Sequence, residues 1–446
     1  MGKSRRTGVR LPPPPPTGTR PLAGPAASYH RVVDVLPLRD RADLLDVRLQ
    51  HRLDTIVPAL MEREGIDAWV LIAREYNEDP VVGSMLPATW LSARRRTILL
   101  FLRSGPAMQR LTVSRYDIPG LFEAAWDPAV EPDQYARLAE LLTAAGPAAV
   151  AISVGDTYAV GDGLSHTEHG LLSAALPDEL RTRLVSGERL AVGWFETRLP
   201  VEVEQLAANC AAAHGFLRRA LSREVVTPGE TTTDDVAWWL RQTVADAGLE
   251  SWFHPTVDVQ RPGSVAPDSF STKLDGGVIH AGDLVHIDFG ISYLGLMTDQ
   301  QQHAYVLREG EVGPPAGLVS ALATGNRLQD LLMAEFATGR TGNEILAATR
   351  KAASAANIDG LIYSHPIGNH GHGAGPAIGL WDQQDGVPGA GDYPVHPATA
   401  YSIELMARVE VPEFGGAVSI MLEEDAIFDG EAVRFLDGRQ TEFHLI

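Results

Sequence analysis

Leu45, Leu49, Leu53, Ile56 and Leu60 recur at steps of three and four, which sets one apolar face on a helix from about Asp40 to Glu64. Pro58 falls inside that pattern, so a kink or early end is expected there, and Gly65 is a suitable stop. The period then changes. Ala68–Ala73, Thr97–Leu102 and Ala149–Val154 are short apolar runs of strand length, separated by helical stretches such as Asp133–Ala144. Such alternation predicts an α/β domain with a largely buried sheet over 29–195. Its Asp, Glu and His residues are scattered, as in a scaffold or docking domain. Ahead of it, residues 1–28 are basic, proline-rich and aperiodic, and read as a disordered tail, with order starting near Val32.

A second regime starts near Thr197-Arg198-Leu199-Pro200. Val203–Leu221 reads as a long helix, and Thr232 with Asp235 three residues later resembles a capping pair for the helix through Trp238-Trp239. Strand-like runs follow at Asp283–Phe289, Ala304–Leu307, Tyr401–Arg408 and Val418–Phe428, with helices at about Ala316–Phe336 and Asn343–Ala356. Residues 196–446 are therefore expected to form an α+β domain.

Composition narrows the function. The 446 residues carry 57 acidic and 37 basic side chains, a formal net charge of −20. A body this acidic is repelled by polyphosphate and by anionic lipid, so nucleic acid and membrane are not expected partners. No apolar run reaches the length of a membrane-spanning helix. Cys210 is the single cysteine, which excludes an intrachain disulfide and a cysteine-based zinc finger. The proline run Pro12–Pro16 stands where a signal peptide needs its apolar segment, so a cytoplasmic protein is expected.

Three stretches of the second half concentrate polar chemistry. Asp288, in Ile287-Asp288-Phe289-Gly290, and Asp299, eleven residues later, each end an apolar run, with Gly295 between them. A hairpin would bring the two carboxylates together, where they repel unless a proton or cation intervenes. The run His365-Pro366-Ile367-Gly368-Asn369-His370-Gly371-His372-Gly373-Ala374-Gly375 puts three histidines in eight residues of glycine-rich chain. Glu404 lies between Ile403 and Leu405 in a core-facing strand pattern, and Glu423 follows the apolar Met421-Leu422. A carboxylate in such a place must be paired, hydrogen-bonded or bound to metal. Four carboxylates and one imidazole suit two divalent cations of the manganese, cobalt, iron or zinc type, and metal-assisted hydrolysis.

These motifs resemble those of the pita-bread metallopeptidases, in the branch of creatinase, prolidase and Xaa-Pro aminopeptidase. The resemblance covers about 197–446, and the α/β domain before it is similar in position to the N-terminal domain of that branch. It implies a pita-bread catalytic domain and a homodimer. It implies a metal set of Asp288, Asp299, His372, Glu404 and Glu423, with manganese first among the metals. It further implies Xaa-Pro hydrolysis by an aminopeptidase or dipeptidase, through a hydroxide bridging two metals and with Glu404 shuttling the proton. His365 is similar to a histidine that some members place near the substrate. His370 remains an alternative to His372.

Departures from the family pattern lie in the substrate shell. The peptidases usually carry a histidine about 17 residues before the first aspartate; Pro255–Ile279 has none, and Ser269 and Ser271 stand there. They tend to read Thr-Arg-Thr where this chain has Gln301-Gln302-His303, and Val-His-Glu where it has Leu380-Trp381-Asp382. His303 and His254 are the available replacements for the missing substrate imidazole. Two other readings follow: a creatinase-like hydrolase of a small C–N or amide substrate, and a non-catalytic peptide-binding relative.

Overall fold

The computed structural model describes residues 35–105, 107–264 and 277–446. The expected tail and the Ser269–Ser271 segment lie outside the described residues. The first helix spans Leu38–Arg63 without a break at Pro58. The hydrogen bond that Pro58 cannot donate would have ended on Asp54, an exposed position where water can serve instead. The opposite face buries Leu49, Leu53, Ile56, Val57 and Leu60.

That helix packs on a six-stranded sheet of β1 (Ala68–Arg74), β2 (Arg96–Ser104), β3 (Ala107–Thr112), β4 (Glu123–Ala124), β5 (Val150–Ile152) and β6 (Leu184–Ser186), in the order β4-β3-β2-β1-β5-β6. The sheet is mixed, β1 running antiparallel to β2 and parallel to β5. Alternate residues of β1 enter two cores. Trp69 and Leu71 join the helical side, while Ala68, Val70 and Ile72 face the helix Gln134–Ala145. Burial on both faces explains why the strand reads as an unbroken apolar run.

The second half holds β7 (Thr256–Gln260), β8 (Leu284–Phe289), β9 (Ser292–Tyr293), β10 (Leu296–Met297), β11 (Gln300–Tyr305), β12 (Asp359–Ile362), β13 (His365–Pro366), β14 (Thr399–Ser402), β15 (Leu405–Val411), β16 (Gly416–Leu422), β17 (Asp425–Phe428), β18 (Val433–Phe435) and β19 (His444–Leu445). They pair as β19-β11-β8-β7, β12-β15-β16 and β13-β14-β17-β18, with β9 and β10 as a separate hairpin. Helices Pro200–Ala220, Thr233–Asp246, Ala316–Met333 and Gly342–Ala355 accompany them. The expected cap is present: Thr232 accepts from the Asp235 amide, and the Asp235 carboxylate accepts from that of Thr232.

Two runs expected as single strands are each divided. Tyr401–Arg408 splits into β14 and β15, and Val418–Phe428 into β16 and β17, with Ile403-Glu404 and Glu423-Glu424 at the breaks. At that level the chain leaves one sheet and enters another, since β14 pairs with β17 while β15 pairs with β16. Isolated contacts replace the ladder: the Ile403 amide donates to the Glu424 carbonyl at 3.0 Å, and the Gln301 amide to the Glu423 carbonyl at 3.0 Å. Three sheets thus meet around the two glutamates.

The halves are joined by buried polar contacts. Arg52 donates to Glu202 at 2.6 Å and lies 4.4 Å over the Trp194 ring. The Tyr158 hydroxyl donates to the Gly375 carbonyl at 2.8 Å, tying the first half to the glycine-rich segment. Among the described residues, no helix is long and apolar enough to cross a membrane.

Candidate metal centre

Each acidic side chain reaches the centre for a local reason. Asp288, near the end of β8, stands opposite Gln301 of β11. The hairpin β9–β10 turns at Leu294-Gly295, both with positive φ (52° and 72°), the two-residue turn that suits tightly twisted strands. This folds the eleven-residue spacing back on itself and delivers Asp299 beside Asp288. The Asp299 amide donates to Asp425 Oδ2 at 3.2 Å, which fixes its backbone. Glu404 is held at its strand break by Ser364, whose hydroxyl accepts from the Glu404 amide at 2.9 Å and donates to its carbonyl at 2.8 Å. Glu423 accepts from the Ser402 hydroxyl at 2.5 Å. His365 opens β13, paired with Ser402.

Three sets of donor atoms lie within 4.8 Å of one another: Asp288, Asp299 and Glu423; His365, Glu404 and Glu423; Asp299, His365 and His372. His365 Nε2 is 3.4 Å from Glu423 Oε1 and 3.7 Å from Glu404 Oε2. Burial raises the pKa of Asp288, Asp299 and Glu404 well above the carboxylate range, and the Glu423 charge raises all three further. Burial lowers that of His372, and His365 beside it adds to the effect.

The residues fit a divalent pair. Oδ1 of Asp288, Oδ1 of Asp299 and Nε2 of His365 are buried without a hydrogen-bond partner among the described residues. A buried acceptor left unpaired costs about 1–3 kcal/mol, and mutual carboxylate repulsion adds to that. Cations among these atoms would satisfy the orphans and cancel the repulsion. Oxygen donors with one or two imidazoles are a hard-to-borderline set, appropriate to manganese, iron, cobalt or zinc.

The structure brings Asp288, Asp299, Glu404, Glu423, His365 and His372 together, and separates two other expected residues. His303 lies on the same face of β11 as Gln301 but one pleat deeper, fully buried, with Nε2 2.8 Å from the Met421 carbonyl and its ring 5.0 Å from that of His286. Strand β16 closes over it, so His303 has no path to a substrate. His370 packs at a tilt against Phe195, with ring centroids 4.9 Å apart, and is in none of the three donor sets. The two main histidines share one donor set with Asp299 but differ in their other neighbours. His365 shares a donor set with both glutamates, whereas His372 is exposed at the rim, its ring perpendicular to that of Trp252 with centroids 5.5 Å apart.

Two residues at the centre escaped sequence reasoning. Gln301 donates from Nε2 to Glu404 Oε1 at 2.5 Å and to Glu423 Oε2 at 2.7 Å. Its signal was the departure Gln301-Gln302-His303 itself. Trp252 lies against Gly371 and donates from Nε1 to the Thr298 carbonyl at 2.8 Å; an aromatic in a loop carries no such signal.

The sequence signature of Metallopeptidase family M24 matches residues 204–428, half of the chain, and spans both aspartates, the histidine run and both glutamates. The chain belongs to metallopeptidase family M24. As an M24 protein it has an N-terminal α/β domain followed by an α+β pita-bread domain, an architecture repeated in solved structures. It is similar to an X-Pro aminopeptidase from Thermotoga maritima MSB8 (17% identity, TM-score 0.60, 86% of this chain and 99% of that one). It is also similar to an Xaa-Pro dipeptidase from Bacillus anthracis (18% identity, TM-score 0.57, 92% and 100%). The N-terminal domain of FACT complex subunit SPT16 from Eremothecium gossypii shares the fold as well (12% identity, TM-score 0.56, 92% and 98%). No curated protein matches the sequence significantly. At such identities the likeness shows the fold, and activity must be argued from the site.

Proposed function

We propose that this M24 metallopeptidase is a dinuclear aminopeptidase or dipeptidase that hydrolyses Xaa-Pro bonds of short peptides. The observation that carries the reading is the convergence of four carboxylates and an imidazole, with atoms of Asp288, Asp299 and His365 buried and unpaired among the described residues. Asp288, Asp299, Glu404, Glu423 and His365 would hold the two ions, and His372 at the rim would contact the substrate. This exchanges the roles that the glycine context suggests for the two histidines, because His365 alone of the pair lies beside both glutamates. Bound divalent ions would polarise the scissile carbonyl and lower the pKa of water to near neutrality.

Glu404 is the proton carrier of the proposal. Its Oε1 is occupied by Gln301, while its side chain keeps 12% of its surface exposed, so one edge can take a proton from water and pass it to the leaving amine. Two of the similar solved structures are named for Xaa-Pro chemistry, which supports proline at the scissile bond. The family resemblance adds manganese and a homodimer to the reading.

The test is a panel of Xaa-Pro and non-proline peptides, read by mass spectrometry with added manganese and with a chelator. Metal-dependent release of the residue before proline is expected. Silence on every proline peptide from metal-loaded protein would overturn the specificity and direct attention to small C–N substrates.

A further inference from the structure

Both ends of the Gln301 amide are committed, and we infer that Gln301 is a positioning residue that selects which oxygens of Glu404 and Glu423 are offered to the metals. The inference rests on the metallohydrolase reading above. Gln301 is fully buried. Its Nε2 contacts Glu404 Oε1 at 2.5 Å and Glu423 Oε2 at 2.7 Å. The end that faces the two glutamates is the NH2 group, and each of its two protons has one acceptor. The carbonyl end then accepts from His286 Nε2 at 3.0 Å. Reversing the amide would set a carbonyl oxygen against two carboxylates and is disfavoured.

The backbone fixes the same residue. Gln301 pairs with Asp288 across β8–β11 and exchanges backbone hydrogen bonds with Glu423 at 3.0 and 3.4 Å. With Glu404 Oε1 and Glu423 Oε2 held by Gln301, the opposite oxygens, Glu404 Oε2 and Glu423 Oε1, are those nearest His365 Nε2, and Glu423 Oε1 also accepts from the Ser402 hydroxyl at 2.5 Å. One side chain thus orients two glutamates that arrive from different strand breaks, alone for Glu404 and together with Ser402 for Glu423. The threonine that M24 peptidases tend to carry in this stretch has one donor proton and can hold one acceptor at a time; the glutamine amide can hold both.

The experiment compares full-length wild type, Gln301→Met and Gln301→Glu by cobalt(II) titration, following affinity by calorimetry and ligand geometry by visible absorption, with circular dichroism as a check of folding. Methionine keeps the length and removes both donors; glutamate keeps the shape and turns the donor end into an acceptor. Both should weaken at least one cobalt site by roughly tenfold or more and change the cobalt spectrum, as loss of an outer partner of metal ligands does. Wild-type affinity and spectrum in folded variants, even with a lowered melting temperature, would show a merely structural role and overturn the inference. If Gln301→Met does not fold, Gln301→Glu carries the same comparison, since it keeps a polar group against His286. Wild type that binds no pair of cobalt ions would remove the metallohydrolase reading as well, a result visible before any variant is compared.

Discussion

His365 Nε2 lies 3.4 Å from Glu423 Oε1 and is buried without a hydrogen-bond partner among the described residues, while His372 sits exposed at the rim seven positions later. The two should therefore separate in their effects. His365→Ala is expected to weaken metal binding at least about tenfold, since it removes a donor beside both glutamates. His372→Ala is expected to keep the metal and to lose roughly a hundredfold in kcat/KM. Metal content by mass spectrometry, measured beside peptide turnover, decides between them. The reverse pattern would restore His372 as the ligand.

Much of this arrangement was legible because apolar periodicity reports burial. The strand at Ala68 and the cap at Thr232-Asp235 follow from local rules, and the Asp288–Asp299 spacing implies the hairpin that joins them. The division of Tyr401–Arg408 and Val418–Phe428 was not legible. Ile403 and Leu405 flank Glu404, and the acidic Glu423–Asp425 sits between Met421-Leu422 and Ala426-Ile427, so neither run marks where a strand ends; the break arises because two different sheets claim the flanks. The nearness of His365 to the glutamates was not legible for a related reason. Glycine context favours His372, but pairing of β13 with Ser402 is what carries His365 to the glutamates, and register between segments 37 residues apart is a tertiary fact. His303 carried the same side-chain chemistry as a functional histidine, and only the strand covering it removes it from the site.

Metal should appear in stability as well as in turnover. Ions that bind the folded state alone stabilise it by RT ln(1 + [L]/Kd), about 2.7 kcal/mol at a hundredfold excess over Kd. Added manganese is expected to raise the unfolding midpoint of wild type, and a chelator to lower it. Asp299→Asn, which removes one charge from two of the donor sets, should abolish most of that response. An undiminished manganese shift in this variant would place the ions elsewhere. Differential scanning fluorimetry across a metal titration is sufficient.

Gly371 lies against the Trp252 indole so closely that a Cβ there would fall 2.2 Å from the ring. Gly371→Ala must displace either the indole or the His370–His372 segment, and His372 moves in both cases because its ring also packs perpendicular to that of Trp252. Metal content should stay near wild type while kcat/KM falls roughly tenfold or more, since small misplacements are costly at a reacting centre. Trp252→Ala removes the obstacle. The double variant should therefore lose less than the two single losses combined, the signature of coupled neighbours. Strict additivity in that cycle would show that the contact does not set the position of His372.

Glu196 links pH to the joint between the two halves. It is 1% exposed; its Oε1 accepts from the Tyr393 hydroxyl at 2.9 Å, and Arg63 Nη1 is 3.6 Å away, beyond a good hydrogen bond. Burial raises its pKa from 4.5 to about 7, against the partial compensation of Arg63 and Tyr393. The sign follows from linkage. Below about 4.5 the folded and unfolded states both carry the proton and nothing is lost. Between about 4.5 and 7 the folded state keeps a proton that the unfolded state has released, so stability falls as pH rises, and above 7 the full penalty is present. Glu196→Gln removes the titration and keeps an acceptor for Tyr393. Relative to wild type it should therefore gain up to about 3 kcal/mol on going from pH 4 to pH 8. Both proteins are to be unfolded by urea with manganese present, so that the ligand carboxylates contribute equally and cancel in the difference. A stability difference independent of pH would show that burial leaves the Glu196 pKa the same in the folded and unfolded states.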